Sequence, residues 1–216
     1  MIENGRALVN TQPPSLTAAA PEHITVLPGT LRETMARFAT GITVLTTGGE
    51  YVHGMTANAF SSVSLEPPLV LCCVARSATM HQAITATRSF AVSVLAAEQE
   101  PLARYFASRS RPRGADQFDS VDWQPGPFTG APLLTGSLAW LECKLAEQYD
   151  GGDHSIFLGE VLASVWADNR QALLFYGGAF HRGVGGAGAD GAGLGGAGLG
   201  GAGASGAADE TGRARG

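Results

Sequence analysis

Leu31, Met35 and Phe38 recur at i, i+4 and i+7, the spacing of one apolar helix face. Thr30-Leu31-Arg32-Glu33 has the form of a capping box, so the pattern predicts a helix that opens near Thr30 and closes at Gly41. The period then shortens. Ile42 to Thr47 is β-branched and apolar, Gly48-Gly49 is a turn pair and Tyr51 to Thr56 returns, which predicts a hairpin. Leu69 to Ala75 and Phe90 to Leu95 are apolar runs of strand length. Between them, Thr79 to Arg88 reads as a short helix with Met80, Ala83 and Ile84 inward, and Glu98 to Arg109 as another with Leu102, Tyr105 and Phe106 on one face. Ser110 to Pro132 carries Pro, Gly and Asp and reads as a long irregular connection, a kind of loop that is often functional. Ser137 to Tyr149 and His154 to Ala167 predict two long strands around the turn Asp150-Gly151-Gly152-Asp153, and Leu173 to Tyr176 a last short one.

Many strands joined by hairpins, two or three short helices and no parallel βαβ repeat indicate a mainly β chain, an antiparallel barrel with helical decoration. The ends read differently. Residues 1–29, with Pro13, Pro14, Pro21 and Pro28, are expected to be a flexible arm, and 183–216, mostly Gly and Ala, a disordered tail with too little apolar surface to offset its chain entropy. A GxGxxG match in that tail follows no strand and opens no helix, so it is compositional. The folded body is expected over 30–182, enough for one sizeable core.

Composition narrows the field without choosing. The net charge of −5 and the lack of any Lys/Arg run argue against nucleic acid and anionic membranes as partners. No apolar run approaches the roughly 20 residues that span a bilayer, and Met1 to Pro28 lacks the form of a signal peptide. Cys72, Cys73 and Cys143 are odd in number and lack CxxC spacing, which argues against a disulfide framework or a zinc site and suits a reducing cytoplasm. No metal site is expected. Glu142, Glu147 and Glu160 read as solvated strand faces, and no GxSxG nucleophile motif is present.

Chemistry concentrates in Gly54-Met55-Thr56-Ala57-Asn58-Ala59-Phe60-Ser61-Ser62, a stretch of small and hydroxylated residues that is closed by Pro67-Pro68. Small side chains let a flat ligand approach the main chain, and Thr56, Asn58, Ser61 and Ser62 offer polar groups to carbonyl and phosphate oxygens. It also reads as a Ser-rich loop between strands. This segment resembles the flavin-binding stretch of the flavin reductase-like family, the small reductases of two-component flavin monooxygenases. A second stretch, Gly151 to Val161, resembles that family's other recurrent motif, and the resemblance runs from about Leu31 to Phe180.

The resemblance implies an FMN-binding split β-barrel of Greek-key type. It implies reduction of FMN or FAD by NADH or NADPH, release of reduced flavin to a flavin-dependent monooxygenase, and a homodimer with the flavin near the subunit contact. Flavin contacts are expected from Gly54, Met55, Thr56, Ala57, Asn58, Ser61 and Ser62, with Cys73, Val74 and Ala75 along the ribityl chain. Arg76, Ser77 and Thr79 stand where a strand hands over to a helix, a place that suits phosphate; Thr79 as a plain N-cap and Arg76 as a solvated side chain is the other reading. His154 is expected on the nicotinamide side, or else as a hydrogen-bonding turn residue, with Asp153 read as making the turn. Tyr176 joins the nicotinamide side, or serves core or interface packing with Phe180. Hydride transfer needs orientation rather than an acid or base, so no residue is assigned as catalytic. Gly177 and Ala59 depart from the family, which often has Arg and Ser there. The alternatives are a split-barrel oxidase or F420-type reductase that retains its flavin, and a non-catalytic flavin or haem sensor.

Overall fold

The structure, a computed structural model, describes residues 28–167 and 170–185. The arm expected over 1–29 and the tail expected over 183–216 lie outside the described residues, except that 28–29 open the first helix and 183–185 end the last strand. In chain order the elements are α1 (Pro28–Met35), β1 (Thr40–Gly41), β2 (Thr43–Thr47), β3 (His53–Ala57), β4 (Phe60–Leu65), β5 (Pro68–Ala75), α2 (Thr79–Thr87), β6 (Ser89–Val94), α3 (Glu100–Ala107), β7 (Trp123–Pro125), β8 (Pro132–Leu134), β9 (Ala139–Gly151), β10 (His154–Trp166), β11 (Gln171–Tyr176) and β12 (Ala179–Gly185).

Seven strands form one antiparallel sheet in the order β3-β2-β6-β9-β10-β5-β4. Laid flat, its edge strands would stand about 29 Å apart, six spacings of ~4.8 Å. Yet β3 and β4 are joined only by Asn58-Ala59, and three Cα steps reach ~11 Å at most. The sheet must therefore curl until its two edges meet. No ladder pairs β3 with β4, so the barrel has a seam there. A single backbone bond, Cys73 N–H to Ala59 O at 2.9 Å, ties the link to β5.

Leu45, Val70, Cys72, Val74, Phe90, Val92, Cys143 and Phe157 fill the barrel, capped by Met80 and Ile84 of α2. A second core joins α3 to the small sheet β1-β11-β12 through Phe106, Phe118, Leu134 and Leu173. Cys72 and Cys143 are sealed inside, where burial pushes the Cys143 thiol up to about 12 and the Cys72 thiol still further, so both stay protonated. Cys73, next in sequence, faces the other way and is half-buried, and all three cysteines are free.

Four expectations need correction. α1 starts at Pro28 and ends at Met35, with no capping-box contact; the Thr34 hydroxyl donates back to Thr30 O instead. Its apolar face is not core: Leu31, Met35 and Phe38 are 52%, 53% and 66% exposed, and no element among the described residues covers them. The Ser-rich stretch after Ala59 is strand β4, paired with β5 through a bulge between Ser62 and Ser64 that breaks its alternation. The connection Ser110–Pro132 contains a short 3-10 turn, Gly114–Phe118, and strand β7, which pairs with β8.

Candidate functional site

The segment Met55–Ser61 passes between two cavities. Met55 and Thr56 line the first, of about 600 Å³; Asn58, Ala59, Phe60 and Ser61 line the second, of about 650 Å³. β5 serves both, with Ala75 at the first and Cys73 at the second. Both volumes fall in the range of small-molecule sites.

Ser77, Ala78 and Thr79 bring the start of α2 to the first cavity. The N-cap is Ala78, which has no side-chain acceptor, and Thr79 lies inside the helix rather than capping it. The leading N–H groups therefore lack the usual side-chain partner, and the helix dipole points its positive end the same way. The Ser77 and Thr79 hydroxyls have no partner among the described residues. The opposite contribution comes from α3 and the loop after it: Phe106, Ala107, Arg109, Arg111, Pro112 and Arg113. Three arginines, with no carboxylate in the lining, make a cationic cavity in an acidic chain.

Arg111 is the brace of that loop. Its guanidinium donates to Ser108 O, to Gly54 O at 2.6 Å and to Gln117 Oε1 at 3.2 Å, and reaches His53 Nε2 at 3.3 Å. Gln117 is fully buried; its amide nitrogen donates to Gly114 O and lies 3.1 Å from His53 Nδ1. Both ring nitrogens of His53 thus lie against N–H donors; the neutral ring can accept at one of them and a charged ring at neither. Burial first, then the charges of Arg111 and Arg113, lower His53 to about 4. None of His53, Arg109, Arg111 or Arg113 was singled out from sequence. For the arginines, the signal available was their alternation in Arg109-Ser110-Arg111-Pro112-Arg113, at the head of the long connection.

The expected site residues divide. Met55, Thr56, Ala75, Ser77 and Thr79 line the first cavity; Asn58, Ser61 and Cys73 line the second. Gly54, Ala57, Val74 and Ser62 line neither. Gly54 packs against α3, where a Cβ would stand 2.4 Å from the buried Phe106 ring, and Ala57 and Val74 belong to the barrel core. Ser62 is exposed on β4. The Thr56 hydroxyl donates to Ala103 O at 2.7 Å, which leaves it an acceptor only, while the Asn58 amide donates to Thr40 Oγ1 at 3.3 Å.

Arg76 is held at 2.8 Å by Asp150 of the β9–β10 turn. The Gly152 N–H and then Arg76 keep the Asp150 carboxyl below its usual range. His154, opposite Ala75 in the β5–β10 register, lines neither cavity but stands one strand from the first. Its Nδ1 lies 2.7 Å from Asp153 Oδ1, and that contact lowers Asp153. Asp153 therefore orients the ring as well as making the turn. Tyr176 is in the small sheet, edge-on to His181, while its neighbours Phe175 and Gly178 line the second cavity. The turn that follows explains Gly177: Gly177 and Gly178 both adopt positive φ, 60° and 82°, where arginine would be strained.

Comparison with known proteins extends this picture. The profile of the flavin reductase like domain matches residues 35–183. The chain is 56% identical over 152 residues to an NADH-dependent FAD reductase of Streptomyces globisporus, covering 70% of this chain and 84% of that protein. It is 42% identical over 166 residues to the FMN reductase (NADH) SmoA of Agrobacterium fabrum, covering 74% and 91%. Among solved structures, BorF, the flavin reductase component of a bacterial two-component tryptophan halogenase, superposes with a TM-score of 0.70 at 50% identity, covering 72% of this chain and 97% of BorF. The NADH:FAD oxidoreductase of Streptomyces globisporus in complex with NAD and FAD fragments superposes with a TM-score of 0.69 at 50% identity, covering 75% and 98%.

Proposed function

The chain belongs to the flavin reductase-like family, and from that premise we propose that it reduces FMN or FAD with NADH or NADPH at the seam between β3 and β4 and hands the reduced flavin to a flavin-dependent monooxygenase. It is an NAD(P)H:flavin oxidoreductase with a split-barrel fold. The observation that carries the location is the first cavity, where five residues named from the sequence meet a cationic wall.

A flavin supplies a ring that accepts hydride from a nicotinamide, so this chain's residues bind and align the two. The Ser77 and Thr79 hydroxyls and the leading N–H groups of α2 would hold the phosphate shared by both flavins. The ring would be held along the main chain at Thr56, on the edge of the first cavity. Arg76, next to Ser77, would add a cation to the same phosphate if it exchanged its Asp150 partner. With its Nδ1–H held by Asp153, His154 presents Nε2 as an acceptor for the nicotinamide carboxamide. A homodimer is supported by Leu31, Met35 and Phe38, which stand exposed, Met35 and Phe38 on the apolar second cavity, where a second copy would cover them. Three free cysteines suit a cytoplasmic setting, and no described helix is long and apolar enough to cross a membrane.

The test is steady-state oxidation of NADH and of NADPH with FMN and with FAD. Saturation in added flavin supports the reading. Absence of flavin-dependent oxidation in all four combinations sinks it, and tightly co-purified flavin with no saturation makes the protein a flavin-retaining enzyme instead.

A further inference from the structure

The α2 end of the first cavity provides for one phosphate, and the cavity does not end there. Arg109 and Arg113 also line it, from a different element, the loop after α3. Arg111 between them is spent on Ser108 O, Gly54 O, Gln117 and His53, and it fixes the loop's course. Neither Arg109 nor Arg113 has a carboxylate or a hydrogen-bond partner among the described residues. Both are exposed, and no acidic residue lines the cavity. Their charge is felt locally, because Arg113 is among the groups that keep His53 neutral. Three guanidinium groups on one short loop repel one another, and a bound anion relieves that repulsion. Guanidinium matches phosphate oxygens by paired N–H donors, which makes it the side chain suited to a phosphate.

We infer that Arg109 and Arg113 form a subsite for the adenosine monophosphate half of a dinucleotide, beyond the phosphate site at the start of α2. The inference rests on the flavin reductase reading and adds specificity to it: FMN carries nothing to fill this subsite, whereas FAD does. NADH carries the same chemistry, so the two sources are separated by experiment.

Arg109→Gln, Arg113→Gln and the double variant keep the side-chain length and remove the charge from exposed positions. For the double variant, the ratio of the FAD KM to the FMN KM is expected to rise about tenfold or more, the loss that one charge-assisted phosphate contact gives. If NADH rather than FAD is the source, the ratio of the NADH KM to that of reduced nicotinamide mononucleotide rises instead. Independently of turnover, calorimetric titration of ADP into the flavin-free protein is expected to detect binding that weakens about tenfold in the double variant. Equal rises in the FAD and FMN KM values would overturn the inference and assign both arginines to the common phosphate. Unchanged ratios for both pairs, or no ADP binding by the parent, would also overturn it. Failure of the function reading looks different: the parent itself would show no flavin-dependent NAD(P)H oxidation.

Discussion

His53 is buried, uncharged and ringed by donors, which ties stability to pH in a definite direction. Its folded value of about 4 lies below the usual 6.5, so protons favour the unfolded chain. The stability that the neutral ring confers is complete above pH 6.5 and is lost progressively as pH falls toward 4. The loss reaches at most about 3 kcal/mol, since each pKa unit is worth ~1.4 kcal/mol. His53→Gln should flatten the melting-temperature profile between pH 6.5 and 4.5; a variant as steep as the parent would remove His53 as the cause. His154 behaves oppositely, as a positioning residue. His154→Ala should raise the KM for NADH, lower kcat by up to ~10²-fold through lost alignment, and leave flavin affinity little changed. Parent-like kinetics with a lower melting temperature would make it a turn residue. At this scale the sequence was a fair guide to the α2 end of the cavity, because Ser77 and Thr79 sit at a strand-to-helix junction that local patterning exposes. It did not reveal the arginine wall. Arg109, Arg111 and Arg113 reach the cavity through the tertiary docking of α3 on β3, which the close Gly54–Phe106 approach and the Thr56–Ala103 hydrogen bond hold.

At the scale of elements, the loop 126–131 is held by one carboxylate. Glu142 of β9 is only 3% exposed, and its Oε1 accepts from Phe128 N, Thr129 N and Thr129 Oγ1 at 2.8–3.0 Å. Reading Glu142 as a solvated face was therefore wrong: a period-2 pattern says which residues share a face, not what folds over it. Glu142→Ala should cost about 2–4 kcal/mol, because three donors lose a charged acceptor. Urea unfolding checks this; a loss below 0.5 kcal/mol would mean that water replaces the carboxylate. β2, β5 and β6 were readable because their burial is continuous or alternates cleanly, and β10 because its first half alternates. β4 and β7 were not. β4 has polar residues on both faces and a bulge, and β7 is three exposed residues paired with β8.

The whole molecule shows what a single chain leaves open. The i, i+4, i+7 stripe of Leu31, Met35 and Phe38 has helical periodicity without a core of its own to face. Sequence periodicity reports that a face is apolar and cannot say which copy of the chain covers it. Phe38→Glu should convert a dimer into a monomer in sedimentation experiments; a parent that sediments as a monomer would refute the assembly. The seam at Asn58-Ala59 has a consequence of another kind. Every other neighbour pair of the barrel is laced by a full ladder, whereas this gap is spanned by two residues and tied by one backbone bond. It can widen without unzipping a strand. Departure of the ligand is thereby uncoupled from unfolding, so changes that raise the melting temperature through the barrel's interior ought to leave the residence time of the ligand where it was.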